Sequence, residues 1–371
     1  MVDRNVLLLA CALAVPGAEP APRKPLRVPL KITAPLIHVS AARELPDGRV
    51  VITDAKTPAL LVLDPRTGAT SPLGSLGPGP DQWITPGGLY AGPDGTTLLL
   101  DRGQTRTTTI SPAGALQGTR SIAEHGTSSS SSADIDLQRL DARGFAYFLN
   151  PLHGRAVGAG VAREATLLRF EPVSQKKEPV ATLRLSDVRT TSGGEGVTFG
   201  RTIIGSPADG WGVAPDGRVA VVRADPYRVE WYGIEGKVIH GPVVPFEKLP
   251  MTDADKQAFV SKIHGTGGAS VGLPGQRSGD ANRAPIEFAA TKPPFEPDNV
   301  MVAPDARVWV MRTRPIEARE VVYDVFDSLG RRIDRLELPD GSRVVGFGPS
   351  SIYVRRAADA GTCELQKYTV K

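Results

Sequence analysis

Six positions share one place in the pattern of this chain: Asp54, Asp101, Asn150, Arg223, Arg312 and Arg356. Each follows the last apolar residue of a run that reads as the second strand of a repeated unit. If the units form a ring, these side chains gather at one face, around a concave axial mouth. Carboxylates and an amide would then line one arc of a polar funnel and guanidiniums the other, a surface that holds a ligand by charge and hydrogen bonds. The same residue types have a plainer use. Asp and Arg at strand ends satisfy the backbone groups of nearby loops. A second set, Asp298, Asn299, Asn150 and Glu195, offers oxygen atoms of the kind a hard divalent cation takes. No spacing ties those four together.

Other chemistries find little support. The five histidines, His38, His125, His153, His240 and His264, have no metal-ligand spacing. The one Gly-x-Ser-x-Gly string, Gly268 to Gly272, lies in a Gly- and Pro-rich stretch and not between a strand and a helix, so it is no nucleophile elbow. Gly193-Gly194-Glu195-Gly196 has no lysine and no helix behind it, so it is not a phosphate loop. Thr127 and the run Ser128 to Ser132 read as a low-complexity surface loop.

The elements that must position the six residues announce themselves by repetition. Pro46-Asp47-Gly48, Pro93-Asp94-Gly95, Pro215-Asp216-Gly217 and Pro304-Asp305-Ala306 each precede an apolar, β-branched run. A tight turn feeding a buried strand at long regular intervals marks a radial β-architecture. The first interval is 47 residues; a second step of 47 lands on the degraded turn at Leu140-Asp141-Ala142-Arg143-Gly144. The later intervals are 75, 89 and 45 residues, the last reaching Gly348-Pro349. Propeller blades recur at roughly 40–50 residues, so three of the five intervals fit directly. The 75-residue interval absorbs a loop around Thr190 to Gly196. The 89-residue interval absorbs an insertion over 245–297, where Thr252 predicts a helix N-cap and Phe259 to Ile263 are apolar at helical spacing. The reading is all-β: a six-bladed β-propeller of four-stranded antiparallel blades, with a short helical insertion between blades four and five. The alternating segment Glu364 to Val370 is expected to close the ring beside an N-terminal strand within Ile32 to Val39.

The phrase from Gly77 to Leu89, with Trp83 and Pro86-Gly87-Gly88, followed by Pro93-Asp94-Gly95 and Leu98-Leu99-Leu100-Asp101, resembles the NHL-repeat class of six-bladed propellers. Gln104-Thr105-Arg106 stands where that family usually has Asn-Asn-Arg. The resemblance implies the architecture over most of the chain and no activity, because the fold hosts binders, scaffolds and enzymes. Gluconolactonase-like propellers hold an axial cation with Glu, Asn and Asp, and a likeness to them is what the second oxygen set would imply.

With 371 residues, 40% of them hydrophobic, the chain can bury one large core, read as a single domain over 22–371. Forty-four basic against 40 acidic residues leave +4, with no Lys/Arg block, so no nucleic-acid partner is expected. Val6 to Val15 is too short to span a bilayer but matches a signal-peptide core, so 1–21 reads as an export signal; Leu8-Leu9-Ala10-Cys11 keeps open a lipid anchor at Cys11. With Cys11 removed, Cys363 is alone and no disulfide forms within the chain. The expectation is therefore an exported, monomeric, non-catalytic propeller, periplasmic or extracellular. It would bind a protein, peptide or glycan through the funnel, without a cofactor, metal or transmembrane span. The alternative is a lactonase- or lyase-type propeller enzyme with an axial divalent cation.

Overall fold

The computed structural model describes residues 30–54, 59–123, 137–149, 163–192, 198–265, 286–358 and 362–370. Within them the repeated turns form as their residues dictate. Asp47, Asp141, Asp216 and Asp305 each accept the backbone N–H two residues on, from Arg49, Arg143, Arg218 and Arg307, at 2.9–3.1 Å. The same arginine then folds its side chain back onto that carboxylate. Gly48 and Gly217 sit at φ +87° in these turns, where a Cβ would be strained. Gly217 also leaves no room for one: a Cβ there would lie 2.3 Å from the Arg143 guanidinium.

Four of the sheets are separate four-stranded antiparallel blades, named here by the first residue of their first strands: Pro86–Ala91, Leu137–Leu140, Gly210–Val213 and Phe295–Val302. A further sheet has eight strands, in two antiparallel halves. One half starts at Val39–Glu44, the other at Ser342–Gly348, and these two first strands run parallel, with Ala42 opposite Gly346. The Ser342 half takes its outermost strand from the other end of the chain: Leu30–Leu36 pairs antiparallel with Cys363–Thr369. The expected closure by an N-terminal strand is thus present, and it covers an edge that would otherwise be open to a second chain. The molecule is a β-propeller.

Apolar cores lie between consecutive sheets. Leu45, Val51 and Leu60 pack with Leu99 and Ile110; Leu98 and Leu100 with Ala146 and Phe148; Tyr147 and Leu167 with Trp211 and Val221. Tyr227 and Trp231 then pack with Phe295 and Phe326, Trp309 and Val325 with Ile352 and Val354, and Tyr353 and Leu365 with Val39 and Ile52. The last core returns to the first sheet. Second strands are therefore covered on both faces, and Val50–Asp54 and Thr97–Asp101 are buried along their whole length. A two-sided burial explains why they read as continuous apolar runs rather than as alternations.

The predicted helix spans Asp253–Gly265, between the Gly210 and Phe295 sheets. Thr252 Oγ1 accepts the Asp255 N–H at 3.2 Å while the Asp255 carboxylate accepts the Thr252 N–H at 3.0 Å, a reciprocal cap. Lys292 Nζ bonds Asp255 at 2.7 Å and ties the helix to the sheet that follows. Where a loop was expected near Thr190, Val188–Ser192 pairs antiparallel with Thr198–Thr202. Both segments are rich in β-branched residues, and that preference prevailed over the glycine signal. No helix among the described residues is long and apolar enough to cross a membrane.

Candidate functional site

Each second strand ends beside the start of its own first strand, because the two form an antiparallel hairpin: Asp54 lies opposite Val39, Asp101 opposite Pro86, Arg312 opposite Phe295 and Arg356 opposite Ser342. The five described members of the predicted set thus lie at one end of their sheets; Asn150 lies outside the described residues. Their charges are spent locally. Asp54 is 2% exposed and accepts the backbone N–H groups of Ile37 at 2.7 Å and His38 at 3.0 Å. Asp101, fully buried, accepts those of Thr85 at 2.9 Å and Ile84 at 3.2 Å. These donors belong to the segment that enters the innermost strand, where no ladder partner is in reach and burial demands one.

The arginines do the converse. Arg223 donates to the Thr182 carbonyl at 2.8 Å and to Asp209 at 2.7 Å, and its Nε reaches Glu230 at 2.8 Å. Arg312 donates to the Pro294 carbonyl at 3.0 Å and to the buried Asp324 at 2.7 Å, its guanidinium 4.9 Å from the Tyr227 ring centroid. Arg356 is half-buried, opposite Glu364. Asp54 and Asp101 are therefore not presented to solvent.

The mouth itself carries a different group. Arg343, second in its inner strand, donates to the Asp298 carbonyl on the neighbouring inner strand at 3.1 Å. Directly across the hairpin from it stands Arg355. Like charges face to face across a strand pair are destabilising. Burial, and then the Arg343 charge, push the Arg355 guanidinium below its usual value, with Asp54 offsetting part of this. Arg355 Nη1 also donates to the Val39 carbonyl at 3.1 Å and lies 2.6 Å from His38 Nε2. A guanidinium only donates, so Nε2 is the acceptor and the His38 ring is neutral, its proton on Nδ1.

In the Pro86 and Leu137 sheets, Tyr90 lies close to Arg102 and Arg139, and the Arg139 guanidinium covers the Trp211 ring at 5.4 Å. None of these residues stood out in the sequence. Arg343 opens and Arg355 ends an ordinary apolar run, and only the hairpin register shows that they face each other.

Of the oxygen set, Asp298 and Asn299 lie on the inner strand Phe295–Val302, while Asn150 and Glu195 fall outside the described residues. Among the described residues, no three His, Cys, Asp or Glu side chains come together as a metal-ligand set.

No family model and no curated protein matches the chain. Among solved structures it is similar to a gluconolactonase from Xanthomonas campestris, at 12% identity and TM-score 0.43, over 92% of this chain and 88% of that one. It is also similar to virginiamycin B lyase from Staphylococcus aureus, at 12% identity and TM-score 0.40, over 92% and 99%. A third is the PQQ-bound aldose sugar dehydrogenase from Streptomyces coelicolor, at 13% identity and TM-score 0.40, over 95% and 100%. These likenesses assign no activity to this chain. The expectation of a non-catalytic binding propeller is corrected to this extent: the three structures named are of enzymes, so the fold by itself does not favour a binder. The NHL-repeat resemblance reaches no further than the propeller architecture.

Proposed function

We propose that this chain is a propeller enzyme of the lactonase or lyase type, with its substrate seated at the axial mouth beside Arg343, Arg355 and His38. The observation that carries the reading is the like-charged pair on adjacent strands, held together despite the repulsion between the two guanidiniums. Reactions at a lactone or ester carbonyl build negative charge on oxygen in the transition state, and cations already held in place stabilise it strongly. The neutral His38 ring supplies a base once Arg355 turns its donor from Nε2 to the substrate oxygen. Among the described residues the acidic and histidine side chains assemble no ligand set for a divalent cation, and Asn150 and Glu195 lie outside them.

Several features of the architecture belong to the same reading. The parallel join at Ala42 and Gly346 supports counting the eight-stranded sheet as two blades, which with the four separate ones makes six. The cores between consecutive sheets support that count, since the last returns to the first. A single NHL-type propeller over 22–371, a 245–297 insertion and export through 1–21 complete the proposal.

The test is hydrolysis of a panel of sugar and alkyl lactones by the purified 22–371 chain, followed by proton release. Arg343→Ala and Arg355→Ala should each lower kcat/KM by about 10²–10³-fold with the melting temperature held. A wild-type chain that opens none of these lactones and eliminates none of their β-substituted analogues would remove the reading.

A further inference from the structure

On the face opposite the mouth, where first strands turn into second strands, a cavity of about 310 Å³ opens between the Phe295 sheet and the two halves of the eight-stranded sheet. That is at the lower end of the range for small-ligand pockets, about 300–1,000 Å³. Trp309, Phe347, Ile352 and Val370 give it an apolar wall, and Arg43 and Glu44 bring charge to it. The Trp309 and Phe347 rings lie 5.7 Å apart, tilted at 53°.

The charges do not cancel. Glu44 is saturated: Lys367 Nζ at 2.9 Å, the Tyr353 hydroxyl at 2.8 Å and the Ser351 hydroxyl at 3.0 Å all donate to it. Asp305, on the far side, closes on Arg307 at 2.6 Å. Arg43 bonds the Thr97 hydroxyl through Nε at 3.0 Å, and burial pushes its guanidinium below its usual value. Trp309 is 2% exposed, so it backs the cavity wall rather than projecting into it.

We propose that this cavity is a binding site for a small organic carboxylate with a flat apolar body. The carboxylate meets Arg43, and the body lies against the wall formed by Trp309, Phe347, Ile352 and Val370. An inorganic anion would leave the apolar wall unused, and a neutral aromatic would leave the guanidinium uncompensated.

Phenylacetate and indole-3-acetate are suitable probes, with the corresponding primary amides as neutral counterparts and phosphate as the inorganic control. Titration by calorimetry and tryptophan fluorescence should show saturable binding of a carboxylate probe, with the amide about tenfold weaker or worse. Arg43→Gln should abolish the preference for acid over amide, and Trp309→Phe, which keeps a ring in the wall, should weaken both. Melting curves establish that each variant is folded, and if Arg43→Gln is not, the acid-to-amide ratio in wild type and Trp309→Phe decides. The proposal is overturned by wild-type protein that binds no carboxylate probe at up to about 10 mM. It is equally overturned by equal affinity for acid and amide, or by phosphate competing as well as the organic acids.

Discussion

Glu230 shows how a side chain that looks functional can be structural. It is 2% exposed on a third strand, and Arg223, Arg228, His240 and Tyr232 converge on it. Burial pushes its carboxyl up, but the hydrogen bonds from His240 and Arg223 and the Arg223 charge outweigh that and hold it at about 2. A carboxyl lowered by folding stabilises the native state fully above its unfolded value, near 4.3, and loses that contribution as pH falls through the folded value. Glu230→Gln should therefore cost about 3 kcal/mol at neutral pH. It should also flatten the decline of melting temperature between about pH 4.5 and 2. An unchanged acid limb in the variant would show that Glu230 is not the group responsible. Asp324 is the counterpart in the Phe295 sheet, buried among Arg312, Arg332 and Arg335 and receiving the Tyr227 hydroxyl at 3.0 Å.

At the scale of elements, the join between the two ends of the chain is set by an absence of side chain. A Cβ on Gly346 would lie 1.7 Å from the Ala42 carbonyl oxygen, and one on Gly348 would lie 2.0 Å from Glu44 Oε2. Backbone in an inner strand cannot withdraw as a flexible side chain would. Gly346→Ala should thus force the parallel pair apart and destabilise by about 3 kcal/mol, at the top of the range for overpacking. Denaturant melts should show a lowered midpoint, and accelerated proteolysis at the seam would locate the damage. A variant as stable as wild type would mean that the two first strands do not approach as closely as described.

For the whole molecule, closure depends on seven residues far from the rest of their sheet in sequence. Leu30–Leu36 completes the Ser342 half, and Leu36 packs into the core shared with Val39 and Tyr353. Removing it leaves the Cys363–Thr369 edge unpaired, a template for a second chain. A chain starting at Ile37 should melt far lower than one starting at residue 22 and should self-associate. Size-exclusion chromatography and thermal melts check both outcomes, and a monomeric Ile37 chain with an unchanged melt would place closure elsewhere.

The features legible in the amino-acid sequence are those whose cause is local. Asp47, Asp216 and Asp305 bond backbone two residues away, so their turns show as a short repeated phrase. Thr252 caps a helix from the residue before it. Doubly covered second strands show as apolar runs because burial on both faces removes the alternation. The segment Glu364 to Val370 shows its buried face in its own alternation. What the tertiary structure alone decided is which polar groups meet. His38 and Arg355 are 317 positions apart. Arg343 faces Arg355 only through the hairpin register, and Arg43 lines a cavity with Trp309 only because the first and last sheets are neighbours in the ring. Asp54 and Asp101 look like ligand-facing acids until the entering backbone is placed against them. Short-range hydrogen bonding and burial periodicity act within a few residues and leave marks in sequence. Charge pairing at the mouth and in the cavity acts between chain segments that only folding brings together.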